Sequence, residues 1–123
     1  MDCVFCKIID GEIPAKKVYE DDFCVAILDL GTTTNGHTLI IPKKHYANFT
    51  ELDNDALTKL QERAQKVSDT LMNKLDVTGT SLLFNYGTSI SVPHFHLHLL
   101  PDFKYGQIKG DKTIDEVFEI ISK

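Results

Sequence analysis

The chain has 123 residues, of which 42% are hydrophobic and 25% charged, as expected for one globular domain with an apolar core. Its formal net charge of −5 disfavours a general binder of nucleic acid or acidic membranes, because both require a basic surface. No signal-peptide pattern follows Met1, and no apolar run is long enough to span a bilayer. We therefore predict a single domain over residues 1–123, soluble and cytoplasmic, without a repeat or a linker.

The first half of the chain is predicted to form a helical turn and three strands. The helical turn covers Val4–Ile9, and Gly11 ends it. A tight acidic turn joins the first two strands, and a proline ends the third because it cannot donate to a strand ladder. The three predicted strands are Lys16–Glu20, Phe23–Leu30 and His37–Ile41.

The second half is dominated by one long predicted helix, Glu51–Leu75, which Thr50 can cap. Its apolar residues are spaced by three and four, and we interpret this stripe as the face that packs on a sheet rather than on a partner helix. The stripe consists of Leu57, Leu60, Ala64, Val67, Leu71 and Leu75.

Two more strands and a final helix complete the predicted fold. The strands are Thr80–Asn85 and His94–Leu100, and Thr113 with Glu116 has the form of a capping box at the start of the last helix. Strands and helices do not alternate regularly along the chain. This order favours an α+β fold with a mainly antiparallel sheet.

Three of the five histidines occupy alternate positions, at His94, His96 and His98. Successive side chains of a strand point to opposite faces, so the three imidazoles are expected on one face. Such a row is a poor choice for a purely structural strand. It suits either metal binding or a neutral imidazole that acts as a covalent nucleophile, with its other ring nitrogen held by an acceptor. The residues alone leave both hypotheses open.

The second motif is the CxxC pair Cys3 and Cys6 at the start of the chain. Such a pair can be a redox motif, half of a metal site or two bystander thiols. A thioredoxin-like motif would follow a strand, which is not predicted here. The third cysteine, Cys24, has apolar neighbours and is expected to be an inert core thiol.

The segment His94–Leu100 has the signature of the histidine-triad (HIT) family, in which histidines alternate with apolar residues. Over residues 3–102 the chain resembles the branch of small dimeric nucleotide hydrolases and transferases. The further matching segments are Phe5–Ile9, Gly11–Lys16, Val18–Asp22, Ala26–Asp29 and Gly36–His45. The resemblance implies a homodimer and a HIT-like fold, with a five-stranded mainly antiparallel sheet, one long helix and a short C-terminal helix.

The resemblance also implies a reaction at the α-phosphate of a purine nucleotide derivative, either a phosphoramidate or a dinucleoside polyphosphate. By matching positions, His96 would attack the phosphorus and form a nucleotidyl-histidine intermediate, which water then hydrolyses. His98 would donate to phosphate oxygens, and His37 would support the triad.

The same resemblance implies the nucleotide-binding residues. Asp29 would accept from the ribose hydroxyls, and an apolar slot would hold the base. The residues implied for the base are Phe5, Ile8, Ile13, Leu28 and Leu30, and those implied for the phosphate are Asn85, Ser89, Ser91 and Val92.

A structural zinc ion is the implied cofactor. Its four ligands would be the two CxxC thiols, His45 and the first triad histidine, namely Cys3, Cys6, His45 and His94. Such a site has no open position for substrate, so it would fix the N-terminus against the sheet.

The loop before the triad departs from the family pattern Asn-x-Gly-x-x-Ala-Gly-Gln-x-Val-x-His. Between Asn85 and His94 it is two residues shorter, and Ile90 stands where the glutamine is expected. Loss of one phosphate donor can cost about 3–4 kcal/mol in the transition state. The alternative is therefore a nucleotide-binding regulatory or adaptor protein with little or no turnover. A catalytic zinc held by the triad is a third hypothesis.

Overall fold

The computed structural model describes residues 3–31, 34–87, 92–103 and 111–123. Within these residues the chain forms three α-helices, five strands and one 3-10 turn at Phe49–Glu51. None of these helices is both long and apolar enough to cross a membrane. In chain order the elements are α1 (Val4–Ile9), β1 (Lys17–Glu20), β2 (Cys24–Leu28), β3 (Thr38–Pro42), α2 (Asn54–Leu75), β4 (Thr80–Leu83), β5 (Leu97–Pro101) and α3 (Ile114–Ser122).

The five strands form one sheet in the order β1-β2-β3-β5-β4, with every neighbouring pair antiparallel. Alternate residues of β2 and β3 enter two different apolar clusters, one on each face of the sheet. The long α2 and the C-terminal α3 cover one face, and the short α1 covers the other. This arrangement confirms the α+β class, the antiparallel sheet and the two predicted helices on it.

The start of α2 differs from the prediction. Its N-cap is Asp53, which accepts from the amide of Ala56 at 2.8 Å, whereas Thr50 lies in the preceding 3-10 turn. Leu52 has an extended backbone between the two and interrupts the helical hydrogen bonds. The buried stripe includes Ala56 rather than Leu57, which is 44% exposed because it lies a quarter-turn further round the helix.

The capping box of α3 is present as predicted. The Thr113 hydroxyl oxygen accepts from the Glu116 amide at 3.1 Å, and the Glu116 carboxylate accepts from the Thr113 amide at 2.9 Å. Both bonds lie within four consecutive residues, so the local sequence determines them.

Gly36 forms the turn that leads into His37 and β3. Its φ of +89° lies in the left-handed region, and a Cβ there would collide with the Leu75 side chain of α2. We expect Gly36→Ala to lower the free energy of unfolding by about 2–4 kcal/mol, because backbone strain and overpacking add. Denaturant unfolding measures this. The control is Gly79→Ala, where nothing lies within 4 Å of the added carbon; equal unfolding midpoints for the two variants would contradict the expectation.

Candidate active site and metal centre

The N-terminal helix α1 places two thiols together. Cys3 is the N-cap, and its sulfur accepts from the amide of Cys6 at 3.3 Å. Residues three apart at a helix start lie on the same side, so the helix directs both sulfurs to its N-terminal end. The CxxC spacing therefore has a direct structural consequence here.

Two histidines from distant segments meet these thiols. The amide of Phe95 donates to the carbonyl of Tyr46 at 2.6 Å, which holds the segments of His94 and His45 side by side. The Nδ1 of His94 lies 3.4 Å from the Cys3 sulfur and 3.1 Å from the Nδ1 of His45. The Nδ1 of His45 lies 3.4 Å from the Cys6 sulfur. The structure thus brings together all four residues predicted as metal ligands.

The four side chains fit a zinc ion. Tetrahedral zinc with ordinary bond lengths separates sulfur from nitrogen by about 3.6 Å and nitrogen from nitrogen by about 3.3 Å, close to the separations here. The Nε2 of His94 lies 2.8 Å from the carbonyl oxygen of Pro42 and donates to it. This bond leaves the lone pair of Nδ1 directed at the thiols, as the outer-shell partner of a metal-bound histidine does.

His96 lies beside this cluster with one ring nitrogen already engaged. Its Nδ1 is 2.8 Å from the carbonyl oxygen of His94, so Nδ1 donates and Nε2 keeps its lone pair. Burial lowers the pKa of His96, which is only 3% exposed, and the ring is uncharged at neutral pH. The Phe5 ring meets it edge-on, with centroids 4.9 Å apart. Within the described part of the chain Nε2 has no hydrogen-bond partner, and a neutral imidazole in this state is chemically suited to nucleophilic attack.

The third triad histidine pairs with His37. His98 lies opposite Leu39 in the β3–β5 ladder, and its Nδ1 is 2.9 Å from the Nε2 of His37. That Nε2 is also 3.6 Å from a carboxylate oxygen of Asp29. Burial is the main cause that lowers the pKa of both rings, to about 4 for His98. Both rings are therefore neutral at pH 7.

A cavity of about 300 Å³ opens between α1, β2 and β5. Its wall is mostly apolar and also contains Asp29, His96 and His98. Of the residues predicted to bind a nucleotide, it is lined by Phe5, Ile8, Ile13, Leu28, Asp29, Leu30 and Val92.

Some predicted residues are placed differently. His37 is not in the cavity wall but contacts His98, and Asn85, just beyond β4, is outside the wall as well. Ser89 and Ser91 lie outside the described residues, as does Ile90. The predicted strand over the triad is wrong in part, because β5 begins at Leu97 and contains only His98. The backbone at His94 and Phe95 bonds to neighbouring loop carbonyls instead, which leaves His94 free to turn toward the thiols.

The cavity wall also includes residues that were not predicted. Ile27 and Leu39 were missed because β2 and β3 are buried on both faces and show no alternation that would assign a residue to one face. Val4 precedes Phe5 in the sequence, and Pro14, Ala15 and Lys16 follow Ile13. Their position next to predicted residues was the only feature of the sequence that could have indicated them. The missed residues are Val4, Pro14, Ala15, Lys16, Ile27 and Leu39.

Comparison with known proteins agrees with this geometry. A family model described as the HIT domain matches residues 10–105. The chain belongs to the HIT family. A HIT-like protein of Methanocaldococcus jannaschii, itself uncharacterized, is 40% identical over 128 residues, which cover 97% of this chain and 98% of the relative.

The names of two further similar proteins mention a bound metal and an enzymatic activity. A structure described as a zinc-bound histidine triad family protein from Mycobacterium smegmatis superposes with a TM-score of 0.87 at 30% identity, covering 98% of this chain and 91% of its own. An adenylylsulfatase of Arabidopsis thaliana is 38% identical over 102 residues, 81% of this chain and 52% of the plant protein. At the level of the family, the chain is related to nucleotide-binding hydrolases and transferases.

Proposed function

We propose that this HIT protein cleaves the bond to the α-phosphate of purine nucleotide derivatives, namely phosphoramidates or dinucleoside polyphosphates. The observation that carries the proposal is the state of His96, which is buried and uncharged. Its Nδ1 is bonded to a carbonyl, and its Nε2 has no hydrogen-bond partner among the residues that the structure describes. This ring lines a cavity whose wall is mostly apolar and contains a carboxylate. Those are the groups that a nucleoside and its phosphate require.

The reaction has two displacements. The Nε2 of His96 forms a bond to the α-phosphorus, and the bond from phosphorus to the leaving nitrogen or oxygen breaks, with that atom taking up a proton from solvent. Water then attacks the same phosphorus and loses a proton to solvent, the histidine leaves and a nucleoside monophosphate is released. If the Nε2 of His37 donates to the Nδ1 of His98, the proton of His98 is on its own Nε2. That nitrogen has no partner among the described residues and can donate to a phosphate oxygen.

The nucleoside is proposed to lie along the cavity with its base against α1. Phe5 and Ile8 supply apolar contacts there, and a carboxylate oxygen of Asp29 accepts from the ribose. The backbone of Val92, which also lines the cavity, is proposed to contact the phosphate together with Asn85, Ser89 and Ser91. Every base has apolar faces that can contact this wall. A purine offers more contact area than a pyrimidine, so the proposed preference for purines rests on contact area rather than on base-specific hydrogen bonds.

Zinc is proposed to be structural in this protein. Cys3, Cys6, His45 and His94 would hold it, and four protein ligands leave no position for substrate. The ion would link α1 to the loop after β3 and to the triad segment. Because α1 also carries Phe5 and Ile8, the ion would fix one wall of the nucleotide cavity.

A homodimer is proposed on the face formed by α2 and β4. β4 is an edge strand, and a groove of about 660 Å³ runs between it and α2. The exposed leucines nearby are Leu57 (44%), Leu82 (53%) and Leu83 (42%). An apolar edge strand invites pairing, and a second copy would cover it.

The dimer proposal predicts that Leu82→Glu converts the protein to a monomer, because the charge would be buried at the interface. Sedimentation velocity at micromolar concentration measures the change. The control is Leu30→Glu, since Leu30 is 84% exposed but lies at the nucleotide cavity, and this variant should remain dimeric. A monomeric wild type would refute the proposal.

The proposed activity is tested with an adenosine phosphoramidate, with AMP binding followed in parallel by calorimetry. We expect AMP release with turnover well above the rate of the uncatalysed reaction. Micromolar AMP binding without release would instead establish the regulatory or adaptor alternative, and absence of both would refute the nucleotide site. The single domain over residues 1–123 and the cytoplasmic location stay predictions.

A further inference from the structure

We propose that Asp29, His37 and His98 form a second metal site, open to the cavity and separate from the cluster of two cysteines and two histidines. The ion would be a divalent transition metal of the zinc class. Two imidazole nitrogens and one carboxylate oxygen are a donor set that such ions bind, and three protein ligands leave a position for water.

The donor atoms are already close to the required spacing. The Nε2 of His37 and the Nδ1 of His98 are 2.9 Å apart, and a carboxylate oxygen of Asp29 is 3.6 Å from the former. The ligand atoms of all three residues lie within 4.8 Å of one another. Bonds of about 2.1 Å at angles between 90° and 110° separate neighbouring ligand atoms by about 3.0–3.4 Å. Small side-chain rotations would therefore bring the three ligand atoms to the separations that a bound metal ion requires.

The hydrogen bonding of the two rings leaves their facing nitrogens available to an ion. Two ring nitrogens that face each other share one proton, so one of them is an acceptor in either tautomer. A metal ion would use both lone pairs and place the ring protons on the Nδ1 of His37 and the Nε2 of His98. Neither of these two atoms has a hydrogen-bond partner within the described part of the chain, so no existing bond opposes this change of tautomer.

The site would overlap the proposed nucleotide position. Asp29 and His98 are the groups proposed above for the ribose and the phosphate, so a bound ion and a nucleotide would compete for these two side chains. That consequence rests on the proposed function. Metal binding itself does not, because it is measured without a nucleotide.

The test is a titration of the metal-free, full-length protein with Co²⁺, followed by absorbance and by equilibrium dialysis. Cobalt bound to thiolates shows a sulfur-to-metal charge-transfer band, whereas cobalt bound to nitrogen and oxygen does not. We expect the wild type to bind one equivalent of Co²⁺ that does not produce this band. Any Co²⁺ bound by the cysteines is additional and produces the band. Asp29→Asn and His37→Gln should each weaken the band-free equivalent by more than about 100-fold.

The matched control is Asp55→Asn, which removes an exposed carboxylate that is paired with Lys59 on α2. It should retain the band-free equivalent at wild-type affinity. An unchanged charge-transfer band in the Asp29 and His37 variants would show that they are folded. The proposal is overturned if the wild type binds no band-free equivalent, or if that equivalent persists unchanged in both variants.

Discussion

Replacement of His96 by alanine is expected to lower the turnover of an adenosine phosphoramidate by more than about 10⁴-fold, the scale of loss when a covalent nucleophile is removed. The Nε2 of His96 is the lone pair that the bond from Nδ1 to the carbonyl oxygen of His94 leaves free. Steady-state and single-turnover release of AMP measure the loss. AMP affinity should change much less, because the apolar wall and Asp29 remain.

The intermediate gives an independent test of the same role. After a short incubation and acid-free quenching, the wild type should carry one nucleotidyl group on the peptide that contains His96, as read by mass spectrometry. His98→Asn serves as the control, since it retains His96 and should still form the adduct, more slowly. Free imidazole should partly restore turnover in His96→Ala, because it can enter the space left by the ring. If His96→Ala keeps more than a tenth of wild-type turnover, the nucleophile lies elsewhere.

The sequence predicts local features of the fold well where a short stretch decides them. Thr113 and Glu116 determine the start of α3 within four residues. Two possible caps compete at the start of α2, and the extended backbone of Leu52 selects Asp53 over Thr50. The choice depends on how Leu52 packs in the core, which local sequence does not contain.

The alternation of the triad predicts a single face but not where the strand begins. His98 is in β5, whereas His94 precedes it and joins the thiols. His96 remains beside His98, with ring centroids 4.9 Å apart, so the row persists without a regular strand. The hydrogen bond from the amide of Phe95 to the carbonyl of Tyr46 determines where the segment leaves the sheet. It joins residues that are 49 positions apart.

The grouping of the site residues cannot be calculated from spacing. Cys3 and His94 are 91 positions apart, and His37 and His98 are 61 apart. Only the resemblance to the HIT family predicted which of them meet. The pairing of Asp29 with His37 depends on the register of β2 with β3, and that of His37 with His98 on the register of β3 with β5. The sequence pattern specifies neither register.

Zinc is expected to raise the melting temperature of the metal-free protein by about 10–20 °C. An ion that binds only the folded state at about 1,000 times its dissociation constant stabilises by about 4 kcal/mol, and a domain of this size melts a few degrees higher per kcal/mol. We attribute the rise of the melting temperature to one connection, because the ion would link α1 to the segments of His45 and His94. Calorimetry of metal-free and zinc-loaded protein measures it.

Two cysteine variants separate this effect from the general cost of a lost thiol. Cys6→Ser removes a proposed ligand and should abolish most of the zinc-dependent rise. Cys24→Ala is the matched control, because Cys24 is fully buried in β2 on the face of the sheet opposite the cluster that contains Cys3. Cys24→Ala should melt lower than the wild type, both metal-free and zinc-loaded, but zinc should raise its melting temperature by the full amount.

Since Phe5 belongs to α1, Cys6→Ser should also weaken AMP binding. An AMP affinity equal to that of the wild type would show that the metal site does not affect the wall of the nucleotide cavity. Melting temperatures of metal-free and zinc-loaded wild type that agree within about 2 °C would contradict zinc binding to the folded state.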